Sequence, residues 1–380
     1  MRKILFTTAH ALQETDEGFD LGRSTALDLP FETILDDAFV AELRRLDAGY
    51  GHVAGDTRLR ASIAERTGVA AEEVLTTHGA IGALHLAVFC VCAEGDEVIT
   101  VEPGFPATFD VIQSLGAVVR STTLDFDQGY ALDVDRLSAL ITDRTRLVLL
   151  PSPHNPSGVS VPVEVIASLL ARLAERAPRA WLLVDETFRE ASYGARTPYD
   201  SAACLSPRVL TVASLSKAYG APGLRVGWLT CRDAELRAHL AVGKGKTAIS
   251  CSVLDERVAL HILEHADDVL GRSRAALAEG LAVVEAWIEK NADCLEWVRP
   301  DAGGLCCVRL RSSAFDSGAV DRFYAQAAAR AINLAPGDVF LGDRRVFRLG
   351  FGALPPATLR VALDALESVA RNVAGRDVDG

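Results

Sequence analysis

Between about residues 70 and 230, short and nearly uniformly apolar runs alternate with stretches of helical periodicity. The apolar runs fall at 98–101, 147–150, 181–184, 209–213 and 226–229. A strand that is apolar at nearly every position is one covered on both faces, as in a sheet sandwiched between helices. Between two of them, residues 162–175 carry Val163, Val165, Ile166, Leu169, Leu170 and Leu173, a spacing that predicts an amphipathic helix. Strand, helix, strand repetition implies a mainly parallel α/β sheet with right-handed crossovers. After residue 237 the texture changes. Helical patterns run over 253–270 and 274–290, followed by a strand-like 304–310, a helix over 317–330, a strand-like 346–350 and a closing helix over 356–373. That succession predicts a smaller α+β unit. The stretch up to about Asp37 has no strong pattern and is expected to pack on it. The expected division is an N-terminal segment 1–38, a large unit 39–245, and a C-terminal unit 246–380 that includes an interdomain helix.

Composition narrows the function classes. A chain of 380 residues exceeds what one compact core serves, which fits two domains. Its 49% hydrophobic content and mean hydropathy of +0.18 mark a globular protein. A net charge of −12 and a pI near 5.2 argue against nucleic acid or an anionic membrane as partner. No apolar stretch approaches the ~20 residues that span a bilayer. Residues 1–6 are basic, but their apolar run is too short for a secretory signal and Glu14, Asp16 and Glu17 follow closely, so a cytoplasmic location is expected. The eight cysteines include no Cys-x-x-Cys pair and are expected to serve mostly as small buried hydrophobes.

Chemistry gathers where the strands end, because ligands of such sheets bind beyond the carboxyl edge. Asn155 follows the run 147–150, Asp185 follows 181–184, and Lys217 follows 209–213. Chain order thus brings an amide, a carboxylate and an amine to one edge. Lys217 is one of only five lysines in a chain whose positive charge is otherwise arginine. An amine can form a Schiff base and a guanidinium cannot. A carboxylate at the end of a buried strand needs a donor or a cation. Upstream, Thr77-His78-Gly79-Ala80-Ile81-Gly82 opens an apolar helix on small residues, the kind of N-terminus that binds phosphate. Gly245-Lys246-Thr247 looks like the tail of a nucleotide-binding loop, but Leu240 stands where that loop requires glycine.

The run from Ser214 to Trp228, with Lys217, Ala221-Pro222-Gly223 and Arg225, resembles the lysine segment of the class I/II aminotransferases, fold-type-I enzymes that use pyridoxal 5′-phosphate (PLP). The resemblance extends in the family's order from about Tyr50 to Gly352. It implies a large domain with a mainly parallel sheet of seven strands flanked by helices, a smaller α+β domain, and a homodimer. It also implies roles. Lys217 would carry PLP as a Schiff base and serve as the catalytic base, Asp185 would pair with the pyridine nitrogen, and Asn155 would donate to the phenolic oxygen. Phosphate would be held by amides near Gly79, Ala80 and Ile81, by Ser214 and Arg225, and from the neighbouring subunit by Tyr50 and Ser250. Phe105 would stack on the ring. Arg348, in Val346-Phe347-Arg348-Leu349-Gly350, would clamp the substrate carboxylate, with Asn155 beside it; Arg23 is a further candidate substrate contact that the resemblance does not itself supply.

Two features depart from the pattern. The family has tyrosine three residues after the aspartate, and Phe188 stands here. Gly22-Arg23-Ser24 lacks a clean match to the family's substrate-facing loop. The leading expectation is transamination between an α-amino acid and a 2-oxo acid. The alternative is a PLP-dependent lyase, cyclase or oxidase, like the capreomycidine-synthase-like or arginine-oxidising branches of the same fold. From another class, His261, Glu264 and His265 fit a zinc-hydrolase spacing, but they sit inside an amphipathic pattern and no metal is expected.

Overall fold

The computed structural model describes residues 18–194 and 197–375. The basic start 1–6 and Glu14, Asp16 and Glu17, on which the reading of the N-terminus rests, lie outside the described residues, as does the end of the C-terminal unit after residue 375. Thirteen strands follow in chain order: β1 (Phe19–Asp20), β2 (Val74–His78), β3 (Glu97–Glu102), β4 (Val118–Thr123), β5 (Thr145–Pro151), β6 (Trp181–Asp185), β7 (Val209–Ser214), β8 (Val226–Cys231), β9 (Leu295–Val298), β10 (Leu305–Leu310), β11 (Ile332–Asn333), β12 (Ala335–Pro336) and β13 (Val346–Gly350).

Seven of them form one sheet in the order β2-β8-β7-β6-β5-β3-β4. The neighbours from β7 to β4 are all parallel, whereas β8 runs antiparallel to both β7 and β2. Only the short turn 215–225 joins β7 to β8, too little chain for the crossover a parallel neighbour needs. Both faces of the sheet are covered. Leu147, Leu149, Leu183, Leu210 and Val212 pack with Leu84 and Val88 of the helix Gly79–Val91, and with Leu236 and Leu240 of Ala234–Thr247. The alternate positions Val148, Leu150, Leu182 and Val184 pack with Ile166, Leu169 and Leu173 of Val163–Arg176. This two-sided burial is why those runs are nearly uniformly apolar.

A second, antiparallel sheet has the order β12-β13-β10-β9 and packs with Ala266–Lys290, Ser317–Ala329 and Pro356–Val373. The helix boundary in this region differs from the periodicity reading. The first helix stops at Glu264 and the second runs unbroken from Ala266, through Gly271, to Lys290. A glycine inside a helix costs only about 1 kcal/mol, and burial of Val269, Leu270 and Leu277 carries the helix across it. The runs read from the sequence do not include β2, β4 and β9, all sheet edges, or the two-residue strands β1, β11 and β12. No helix among the described residues is long and apolar enough to cross a membrane.

The patternless N-terminal stretch bridges both sheets. Phe19 and Asp20 pair with Ile332 and Asn333, and the Gly350 amide donates to the Leu21 carbonyl at 2.7 Å. Farther along, Ala26 N–H donates to the Lys217 carbonyl at 3.2 Å and Leu29 N–H to that of Gly220 at 2.7 Å. Glycine is required at both ends of this strap. A Cβ on Gly350 would overlap the Arg23 carbonyl oxygen, and one on Gly220, which also has φ +63°, would overlap that of Leu27.

Gly350→Ala should therefore destabilise the cofactor-free protein by about 1–3 kcal/mol, seen as a lowered thermal midpoint. Gly245→Ala, where an added Cβ meets nothing within 4 Å, should leave the midpoint unchanged or raise it slightly.

Candidate active site

The carboxyl edge of the large sheet opens into a cavity of about 420 Å³. Because β5, β6 and β7 are adjacent and in register, the residues at or after their ends stand side by side: Asn155, Asp185 and Lys217 all line it. Phe105 enters from the end of β3. The reversed direction of β8 brings its beginning, not its end, to the same edge, which is how Arg225 joins the group. Ala80, Ile81, Ser214, Arg23 and Arg348 complete the set of expected residues that face this space.

Lys217 Nζ donates to Ser24 Oγ at 2.9 Å and lies 5.5 Å from the centre of the Phe188 ring. Asp185 Oδ1 accepts from the Thr187 amide at 3.0 Å and the Thr187 hydroxyl at 2.5 Å. Burial pushes the Asp185 carboxyl above its ordinary value, against those two donors and the charge of Lys217. Such a group is stabilised as an anion only when a cation or further donor meets it. Asn155 Oδ1 accepts from Arg348 Nη1 at 3.0 Å, which leaves its amide hydrogens for another acceptor. The turn carrying Asn155 is braced by His154. Its Nε2–H donates to the Pro103 carbonyl at 2.8 Å, so its Nδ1 accepts from the Ser157 hydroxyl at 2.7 Å. Burial holds this imidazole near a pKa of about 4, neutral at physiological pH.

Arg348 is only 4% exposed. Its Nη2 donates to the Gly22 carbonyl, its guanidinium lies 4.8 Å from the Phe340 ring centre, and its Nε has no hydrogen-bond partner among the described residues. Burial lowers its pKa to about 10. A buried guanidinium with a spare donor and no carboxylate bonded to it is built to receive an anion.

At the opposite end, the helix Gly79–Val91 begins at His78 without a side-chain cap, so its first amides remain available. Gly79 does not itself line the cavity. Its φ is +69°, and a Cβ there would sit 2.6 Å from Arg225 Nη2. The glycine thus admits the Arg225 guanidinium against the helix start. With Ser214 and Ser216 this makes a second anion cradle.

The sequence profile of the class I and II aminotransferases matches residues 17–366. The chain belongs to this family. It is 32% identical over 336 residues to capreomycidine synthase of Streptomyces vinaceus, covering 88% of this chain and 84% of that one. It is 31% identical over 379 residues to an arginine–pyruvate transaminase of Pseudomonas aeruginosa, covering 94% and 93%. Among solved structures, a PLP-dependent aminotransferase from Streptococcus suis superposes with a TM-score of 0.85 at 27% identity, over 95% of each chain. The PLP-dependent cyclase OrfR does so with 0.82 at 27% identity, over 94% of each chain. The protein is therefore an enzyme of the aminotransferase family with the fold-type-I architecture, and its cofactor is PLP.

The residues present suit that cofactor. One end of the cavity offers an uncapped helix start, hydroxyls and a guanidinium for a phosphate. The middle offers a partly buried carboxyl for a protonated ring nitrogen, and an amine for an aldehyde. Three expected residues stand apart. Gly79 supplies space rather than a wall, and neither Tyr50 nor Ser250 lines the cavity. Tyr50 is 86% exposed. The histidines of the zinc-like spacing are engaged otherwise: His261 stacks on Phe39 at 3.8 Å and bonds the Ile34 carbonyl, while Glu264 pairs with Arg58. Sequence reasoning missed Asp20, Ser24 and Thr187. The first two lie in the strap and reach the site only through bonds to residues far away in the chain, Asp20 to Asn333 and Ser24 to Lys217, so no local pattern marks them.

Burial penalises the charged form of Asp185 in the fold once pH rises past the ordinary carboxylate range. Asp185→Asn removes that penalty. The cofactor-free variant should melt above the parent at pH 7, with the difference shrinking as pH falls toward ~4. PLP affinity by equilibrium dialysis should drop ten-fold or more.

Proposed function

We propose that the enzyme transfers an amino group between an α-amino acid and a 2-oxo acid. The convergence of Lys217, Asp185 and Arg348 on one cavity carries this reading. When bound, PLP supplies an aldehyde that condenses with amines and a ring that draws electrons from the adjacent carbon. Asp185 would hold a proton on the ring nitrogen. Arg348 Nη1 is already committed to Asn155, and its buried guanidinium would fix the substrate carboxylate. Ser214, Arg225 and the amides of Ala80 and Ile81 would anchor the phosphate, with Phe105 beside the ring. Lys217 Nζ, oriented by Ser24, would take the proton from the substrate Cα.

The active unit on this reading is a homodimer. Tyr50 and Ser250 support it. Gly51, next to Tyr50, packs near Val253 and the Cys251 carbonyl, so the two segments share one surface patch outside the cavity. In a homodimer both would be available to the phosphate of the neighbouring subunit. A cytoplasmic location is the companion inference, in keeping with eight cysteines that are all unpaired.

A second reading rests on Phe188, which is 4% exposed and cannot donate a hydrogen bond to the cofactor as tyrosine would. Similarity to a capreomycidine synthase and to a PLP-dependent cyclase accords with it. It would make the enzyme a lyase or cyclase that keeps the cofactor in its aldehyde form.

Borohydride reduction followed by peptide mapping should leave the pyridoxyl label on Lys217, and Lys217→Arg should lose both label and turnover. Stoichiometric conversion of the cofactor to pyridoxamine phosphate by an amino acid is the result expected for transamination; turnover without it would favour the second reading. Light scattering should give twice the chain mass, and Tyr50→Phe should weaken PLP binding about ten-fold through loss of a charged hydrogen bond.

A further inference from the structure

Among the described residues, the cavity carries one more charge than the cofactor and a substrate α-carboxylate use. The ionisable residues among them that line it are Asp20, Arg23, Asp185, Lys217, Arg225 and Arg348. On the reading above, which this inference rests on, four of them serve phosphate, ring nitrogen, aldehyde and α-carboxylate. Arg23 is paired with Asp28 at 2.7 Å. Asp20 is left over.

Its position is fixed. Asp20 ends β1, and its Oδ1 accepts from the Gly22 amide at 3.0 Å and from Asn333 Nδ2 at 2.8 Å. Gly22 also gives its carbonyl to Arg348 Nη2, so one tight turn presents the acid and the guanidinium to the same end of the cavity. Oδ2 accepts no hydrogen bond among the described residues. Thr25, also in the strap, lines the same cavity. It is 5% exposed, and its hydroxyl has no partner among the described residues.

We propose that Asp20 determines specificity by receiving the cationic end of the substrate side chain, and that the substrate is a basic α-amino acid. An acid held beside the α-carboxylate site repels a second carboxylate, which disfavours acidic substrates. A neutral side chain leaves the acid partly desolvated and unpaired. A guanidinium or ammonium group satisfies Oδ2 and neutralises the charge, and its several donors suit the additional Thr25 acceptor.

The test uses the holoenzyme with L-arginine and L-citrulline, which match in shape and differ in charge, and with L-glutamate. Wild type should favour arginine over citrulline by about 10²-fold in kcat/KM and use glutamate least. Asp20→Asn keeps an acceptor for Gly22 and Asn333, so it should bring arginine to within a few-fold of citrulline by lowering the arginine value alone. Asp20→Glu should retain the preference. A purely structural role would lower both substrates together and leave the ratio intact, and that result overturns the proposal. So does a wild type that handles glutamate or citrulline as well as arginine. An unaltered cofactor absorbance and Lys217 label in these variants separates failure of this inference from failure of the parent reading. A colourless wild type that takes no label sinks both.

Discussion

The site depends on one carboxyl group, partly buried where the central strand of the large sheet meets the cavity. Asp185 closes β6, the central member of three adjacent parallel strands, and its neighbours Pro151 and Val212 fix its height at the edge. Burial raises the cost of its charge, and Thr187 offsets only part of it. A protonated ring nitrogen supplies the missing partner, and the same contact keeps the ring electron-poor. The cost of burying the acid and its usefulness to the cofactor have one origin.

Around that point the molecule brings two anion sites to opposite ends of one cavity. One is backbone at an uncapped helix start reinforced by Arg225, and the other is the buried Arg348. Their supports come from different sheets. Arg225 depends on the reversed strand β8, whereas Arg348 lies on β13 of the antiparallel sheet. The strap 18–29 ties the two together, bonding β11 and β13 at one end and the Lys217 turn at the other. A shift between the sheets would therefore be felt at Lys217 through Ser24 and the Ala26 amide.

A buried polar cluster outside the cavity supports the same frame from behind. Thr76 of β2 donates to Glu256 Oε1 at 2.5 Å and accepts from Lys244 at 3.2 Å, while Glu256 Oε2 takes the Asp56 amide at 3.2 Å. Thr76 and Glu256 also touch the glycine-rich turn after Tyr50, because a Cβ on Gly55 would overlap the Thr76 hydroxyl and one on Gly51 would sit 3.7 Å from Glu256 Oε2. The strand that leads into the helix start Gly79 is thereby fastened to the exposed Tyr50 loop.

Buried strands and the groups at their ends were legible in the sequence. Runs such as 181–184 are apolar because both faces are covered, and a lysine, an acid and an amide following three such runs must meet if the strands are neighbours. The edge strands β4 and β9 left no comparable trace because they are only partly covered, whereas β2 is buried from Val74 to Thr77 but has threonine at two of those positions. The direction of β8 is not carried by its apolar content; only the short connection 215–225 bears on it. Tertiary structure alone decided the remainder. Asp20, Ser24 and Thr25 have no local signature, and they enter the cavity only because glycine at 220 and 350 lets the strap lie flat against both sheets. Local sequence sets which segments are buried; which distant segments share a wall is set by the close approaches that packing permits.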